Sequence, residues 1–155
     1  MVNTGPTPQM LLRFKRKLLD LADSSKAPVS VVGVSLGGVL ARQLALDNAG
    51  AVRCVVTLCS PVRYPVITPL QPFAAALTPF HESAWLDRRK EIGGPLPVPV
   101  TAIYSEDDGI VDWRQCIQIE APGAKNIKVV GAHMTIGSNP EVHAVVAQAL
   151  AQRIS

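Results

Sequence analysis

The chain has 155 residues, of which 48% are apolar and only 17% charged, so it holds the material of one domain with an ample core, and intrinsic disorder is excluded. A net charge of +3 with 5% aromatic residues argues against a nucleic-acid-binding surface.

Taken in chain order, Thr7-Pro8 has the form of a helix start, and Leu11, Phe14, Leu18, Leu21 and Ala22 then recur at helical spacing. A helix over about residues 8–24 is expected, with those side chains as its core face and the basic run Arg13 to Lys17 solvated. Val29 to Val32 is a β-rich run without alternation, the pattern of a strand covered on both faces. It leads into Gly33-Val34-Ser35-Leu36-Gly37-Gly38 and then a helix that ends near Asn48 and Gly50. A second buried strand is expected over Val52 to Leu58.

Between Pro61 and Pro99 the character changes, because eight of the 13 prolines fall there around two amphipathic pieces, Leu70 to Leu77 and Glu82 to Ile92. A helical insert over 61–97 is expected. Val98 to Tyr104 then reads as a third strand, Asp112 to Ile119 as a short helix and Ile127 to Val130 as a fourth strand. Asn139-Pro140-Glu141 opens a last helix with Val142, Val145, Val146, Ala149 and Leu150 on one face. Strands separated by helices call for an α/β fold, here a short parallel sheet of about four strands flanked by helices in a single domain over 1–155.

Cys54, Cys59 and Cys116 show neither the paired spacing of a zinc site nor an even disulfide framework, so neither a metal nor another cofactor is expected. The N-terminus lacks the order of a signal peptide, and the uncharged stretch Ala27 to Ala41 is broken by Ser and Gly. No transmembrane segment and a cytoplasmic location are therefore expected.

Gly33-x-Ser35-x-Gly37 has the pattern of a nucleophile elbow, in which a strand turns sharply into a helix and exposes the central hydroxyl. Small residues flank the Ser because the turn brings positions 33 and 37 close together. A Ser hydroxyl needs a base to take its proton, and the base needs an acid to orient it. Asp108 follows the third strand and His133 the fourth, so both fall at the same end of a parallel sheet as Ser35. Asp107 competes for the acid role, but Ile110-Val111 after Asp108 can pack that residue against the sheet end. His81 sits in the proline-rich insert, and His143 lies at the edge of the last helix's apolar face and reads as structural.

Through Val31-Val32-Gly33-Val34-Ser35-Leu36-Gly37-Gly38, Val55-Val56-Thr57-Leu58-Cys59-Ser60-Pro61, Val98 to Ser105 with Asp108-Gly109-Ile110-Val111, and Gly131-Ala132-His133, the sequence resembles the α/β-hydrolase superfamily. The likeness is to its bacterial lipase, esterase and acyltransferase-like members. The resemblance implies Ser35 as nucleophile, Asp108 as acid, His133 as base and the Leu36 N–H as one oxyanion donor. It also implies that the insert caps an acyl pocket with Phe73, Leu77, Phe80 and Trp85, although a helix pair completing the core fits the same residues. The strands that usually precede the elbow strand are missing, and with them the second oxyanion donor, for which Asn3 to Gly5, the insert or a neighbouring chain are the candidate sources. Expected is a serine carboxylic-ester hydrolase acting on small-molecule esters with short or medium apolar acyl groups. Acyl transfer, or a non-catalytic interaction module, are the other functions that fit. Because Val29 to Val32 has no upstream strand to pair with, a homo-oligomer is expected.

Overall fold

The computed structural model of the chain describes residues 8–63, 88 and 90–151. Four strands, β1 (Val29–Val34), β2 (Val52–Leu58), β3 (Val100–Tyr104) and β4 (Ala124–Lys128), form a parallel sheet in the order β1-β2-β3-β4. Among the described residues, helices α1 (Pro8–Ser25), α2 (Leu36–Asp47) and α3 (Pro140–Ala151) flank them. Because neighbouring strands are parallel, each connection must return along the sheet, and every loop leaving a carboxyl end opens on the same edge. The expected fold class is the observed one.

Alternate residues of the central strands divide the core into two layers. On one face Val55 and Val100 pack with Leu44 and Ala45 of α2 and Leu18 of α1. On the other, Val56, Leu58 and Ile103 pack with Val142 and Ala149 of α3. Arg42 of α2 is fully buried. Its guanidinium donates to the carbonyls of Ile92 and Gly94 and to the Gln118 side chain, so it fastens the chain leaving residues 90–94 to the helix behind the site. Charge-assisted bonds of this kind offset the large cost of burying a guanidinium.

Four local expectations are corrected. β1 is not covered on both faces: Val29 and Val31 meet the α2 layer, whereas Val32 and Val34 are 44% and 42% exposed, since β1 is an edge strand and α3 packs over the middle of the sheet. In α1 only Leu18 is buried, and Phe14 and Leu21 remain largely open, because a helix lying against an edge strand meets neighbours along only a narrow line. The fourth strand begins three residues early, at Ala124, where Gly123 (φ 75°) turns the chain and accepts from Val100 N at 3.0 Å. Its Ala-Lys-Asn start carries no apolar signal because β4 is an edge strand, held by backbone pairing. Asp112 to Ile119 is not a helix beyond a 3-10 turn at Trp113–Gln115. Gln118 N donates to Asn126 Oδ1 at 2.7 Å while Asn126 Nδ2 donates to Gln118 O at 3.1 Å, which ties the rest to β4.

Candidate active site

Between β1 and α2 the chain reverses within one residue, and Ser35 takes φ 52° and ψ −124°, a strained conformation for an L-residue that costs about 1–3 kcal/mol. Backbone bonds hold it there: Ser35 N donates to Leu58 O at 2.8 Å and Gly38 N to Ser35 O at 3.0 Å. The turn needs glycines, but not the pair that the elbow pattern suggests. A Cβ on Gly33 would stand 2.3 Å from Gly37 O, and one on Gly38 2.0 Å from Ser60 Oγ, whereas a Cβ on Gly37 meets nothing within 4 Å. Gly33→Ala and Gly38→Ala are thus expected to destabilise the fold by about 3 kcal/mol, at the upper end of overpacking costs. Gly37→Ala, inside a helix, is expected to be neutral or to stabilise by about 0.5–1 kcal/mol. Urea midpoints at constant slope check the order.

β3 delivers Asp108 and β4 delivers His133 to the same edge. Gly109 (φ 76°) turns the chain after Asp108, so that the amides of Ile110 and Val111 fold back and donate to Asp108 Oδ1 at 3.0 and 2.6 Å. The Ile110-Val111 segment therefore fixes Asp108 through its amides more than through side-chain packing. His133 N donates to Asp108 O at 3.0 Å, and its ring Nδ1 donates to Asp108 Oδ2 at 2.7 Å. That leaves Nε2 as the acceptor of the Ser35 hydroxyl, at 3.0 Å. Asn139 braces the loop from behind: Oδ1 accepts from Glu141 N at the start of α3 at 2.9 Å, and Nδ2 donates to Val130 O at 2.8 Å.

Asp108 is 3% exposed. Burial alone would raise its pKa, but the Val111 amide, the His133 ring, the Cys59 thiol and the Ile110 amide outweigh it and hold the carboxyl below the usual aspartate range. The stability this contributes is present at neutral pH and is lost as pH falls below that range. Burial, reinforced by the neighbouring carboxylate, pushes the Cys59 thiol well up, so it stays protonated and serves as a donor. Cys116, likewise buried near Asp108, is pushed up to about 12. Leu36, the first residue of α2, has no intrahelical acceptor for its N–H, and the positive end of the helix dipole lies at Ser35.

The structure brings together Ser35, Asp108 and His133 and sets Leu36 beside them. Phe73, Leu77, Phe80, Trp85 and His81, and Asn3 to Gly5, lie outside the described residues. Asp107 is exposed on the loop. His143 faces away and bonds Gly137 O at 2.8 Å. Cys59 was missed, because nothing in Leu58-Cys59-Ser60 indicates that its thiol reaches an acid distant in sequence. The described residues contain no group of His, Cys, Asp and Glu able to hold a metal ion, and none of their helices is long and apolar enough to cross a membrane.

A family model described as "alpha/beta hydrolase family" matches residues 5–153. No curated protein matches the chain. Among solved structures it is similar to an alpha-beta serine hydrolase homologue from Coxiella burnetii, with 18% identity and a TM-score of 0.63 over 97% of this chain and 62% of that one. It is also similar to a hydrolase from Pseudomonas aeruginosa, with 16% identity and a TM-score of 0.59 over 92% and 72% of the two chains. A third is Paleococcus ferrophilus monoacylglycerol lipase, with 13% identity and a TM-score of 0.61 over 90% and 75%. Likeness at these identities establishes the fold, and the chain spans 62% of the length of the Coxiella protein.

Proposed function

Because the chain belongs to the alpha/beta hydrolase family, we propose that it is a serine carboxylic-ester hydrolase working through an acyl-enzyme on Ser35. The observation that carries this reading is the unbroken relay from Ser35 Oγ to His133 Nε2 at 3.0 Å and from His133 Nδ1 to Asp108 Oδ2 at 2.7 Å. In it, His133 takes the Ser35 proton as Oγ attacks the ester carbonyl, then returns it to the leaving alcohol. Asp108 holds the ring tautomer and stabilises the imidazolium. The Leu36 N–H and the dipole of α2 supply one arm of the oxyanion hole. The second donor has no assigned source among the described residues, and one such bond is worth about 10²–10³-fold in kcat. The short sheet supports a shallow site that takes short or medium apolar acyl groups.

A fluorophosphonate probe tests the reading directly. Folded protein is expected to label at Ser35, and His133→Ala to abolish the labelling. Absence of labelling in folded protein would replace the enzyme with an interaction module on the same fold.

A further inference from the structure

The donors around Asp108 come from different parts of the chain. The Ile110 and Val111 amides belong to the acid's own turn and move with it, so they shape the carboxylate without fixing where the turn stands. Cys59 belongs to another strand. It is the first residue beyond β2, is fully buried, and lies between the strand that ends at Ser35 and the strand that leads to Asp108. The backbone there bonds to both sides: Ser35 N donates to Leu58 O at 2.8 Å, and Cys59 N donates to Ile103 O at 2.9 Å.

Two features set this residue apart. The first is its backbone: Cys59 takes φ 45°, in the left-handed region that glycine adopts freely and that an L side chain occupies at a cost. Such outliers gather at functional sites, where the surrounding structure holds them. A glycine here would remove the strain, and the thiol with it. The second is the place of the sulfur. The Ser105 amide donates to Sγ and the thiol donates to the Asp108 carboxylate, so one atom joins both ends of the 105–108 turn. Cys116 provides the contrast, since it too is buried near Asp108, but its thiol donates to Asp112 O at 3.9 Å.

We infer that Cys59 is a positioning residue: its thiol ties the Asp108 carboxylate to the end of β2, the same strand end that holds the Ser35 elbow, and so keeps acid, base and nucleophile in one frame. As a statement about turnover this rests on the ester-hydrolase reading. A thiol suits the place because it is a small apolar group with a weak S–H donor, which brings no charge into the buried site. Without it Asp108 keeps its own amides, but the turn is free to shift against β2. The His133 ring shifts with it, because its Nδ1 and its backbone amide both bond to Asp108. A displacement of this kind lowers the rate of the chemical step and leaves ester binding little changed.

Kinetics of single variants, each measured beside its urea midpoint, test this. Cys59→Ala is expected to lower kcat for a soluble butyrate ester about tenfold with KM within about twofold. Cys59→Ser, which restores a donor, should stay within about threefold of the parent. Cys59→Gly separates positioning from packing: glycine suits φ 45°, so this variant should be at least as stable as Cys59→Ala and yet equally slow. Cys116→Ala should leave kcat unchanged. The low-field proton resonance of His133 Nδ1–H reads the same geometry without turnover, and it is expected to broaden through faster exchange in the Ala and Gly variants of Cys59 and to persist in the Ser variant. Activity that follows stability across the series, a Ser variant as slow as the Ala variant, or Cys59→Ala with parental kcat and an unchanged resonance overturns the positioning role and leaves the hydrolase reading standing. A parent that neither labels nor turns over, with the resonance still dependent on residue 59, removes the hydrolase and sustains the tie between Cys59 and Asp108.

Discussion

Ser35→Ala is expected to lower kcat for a soluble butyrate ester by about 10⁴–10⁶-fold, and His133→Ala by a similar factor, with the double variant hardly worse than either alone. The reason lies in the relay: Ser35 Oγ has its acceptor in His133 Nε2 at 3.0 Å, and neither group has a chemical role once the other is gone. Neither change should unfold the protein. Ser35 is held by its backbone bonds to Leu58 and Gly38, which alanine keeps, and His133 is anchored by its own amide to Asp108 O. Steady-state kinetics beside thermal unfolding separates the two effects. Additive losses, or residual activity within tenfold of the parent, would show that the hydrolysis does not run through this pair.

Asp108→Asn is expected to cost about 10³–10⁴-fold in kcat, while Asp107→Asn should change it less than about twofold. Asp108 accepts from two backbone amides, the imidazole and a thiol. An amide side chain in that nest turns an N–H toward one of those donors or toward the ring, and the imidazole loses the tautomer that leaves Nε2 free for Ser35. Asp107 points into solvent, its amide bonded to Ser105 Oγ at 3.2 Å, so its charge is screened and touches neither partner. The reverse ranking, with Asp107→Asn inactivating, would assign the acid to the wrong carboxylate. Because the Asp108 nest also stabilises the fold through a lowered carboxyl pKa, Asp108→Asn should in addition flatten the acid limb of the stability profile, and Asp107→Asn should leave it unchanged.

What could be read from the amino acids alone follows from locality. A Val-rich run, then Gly-x-Ser-x-Gly, then a helical pattern specifies a strand, a turn and a helix from within about twenty consecutive residues, and the α/β fold and Ser35 are legible there. Asp108 and His133 were legible because parallel strands deliver all their exit loops to one edge, which chain order already dictates. Residues whose role depends on contacts between distant segments were not legible. Gly38 is required by Ser60, Cys59 meets Asp108 across the sheet, Arg42 clamps residues 92, 94 and 118, and β4 begins at Ala124 because Val100 pairs there. The basic run of α1 is plainly visible in sequence, but periodicity assigned Phe14 and Leu21 to the core. Only the place of α1 beside an edge strand leaves them in solvent, because burial depends on how many neighbours the assembled layers bring to a face, and a hydrophobic pattern cannot count them.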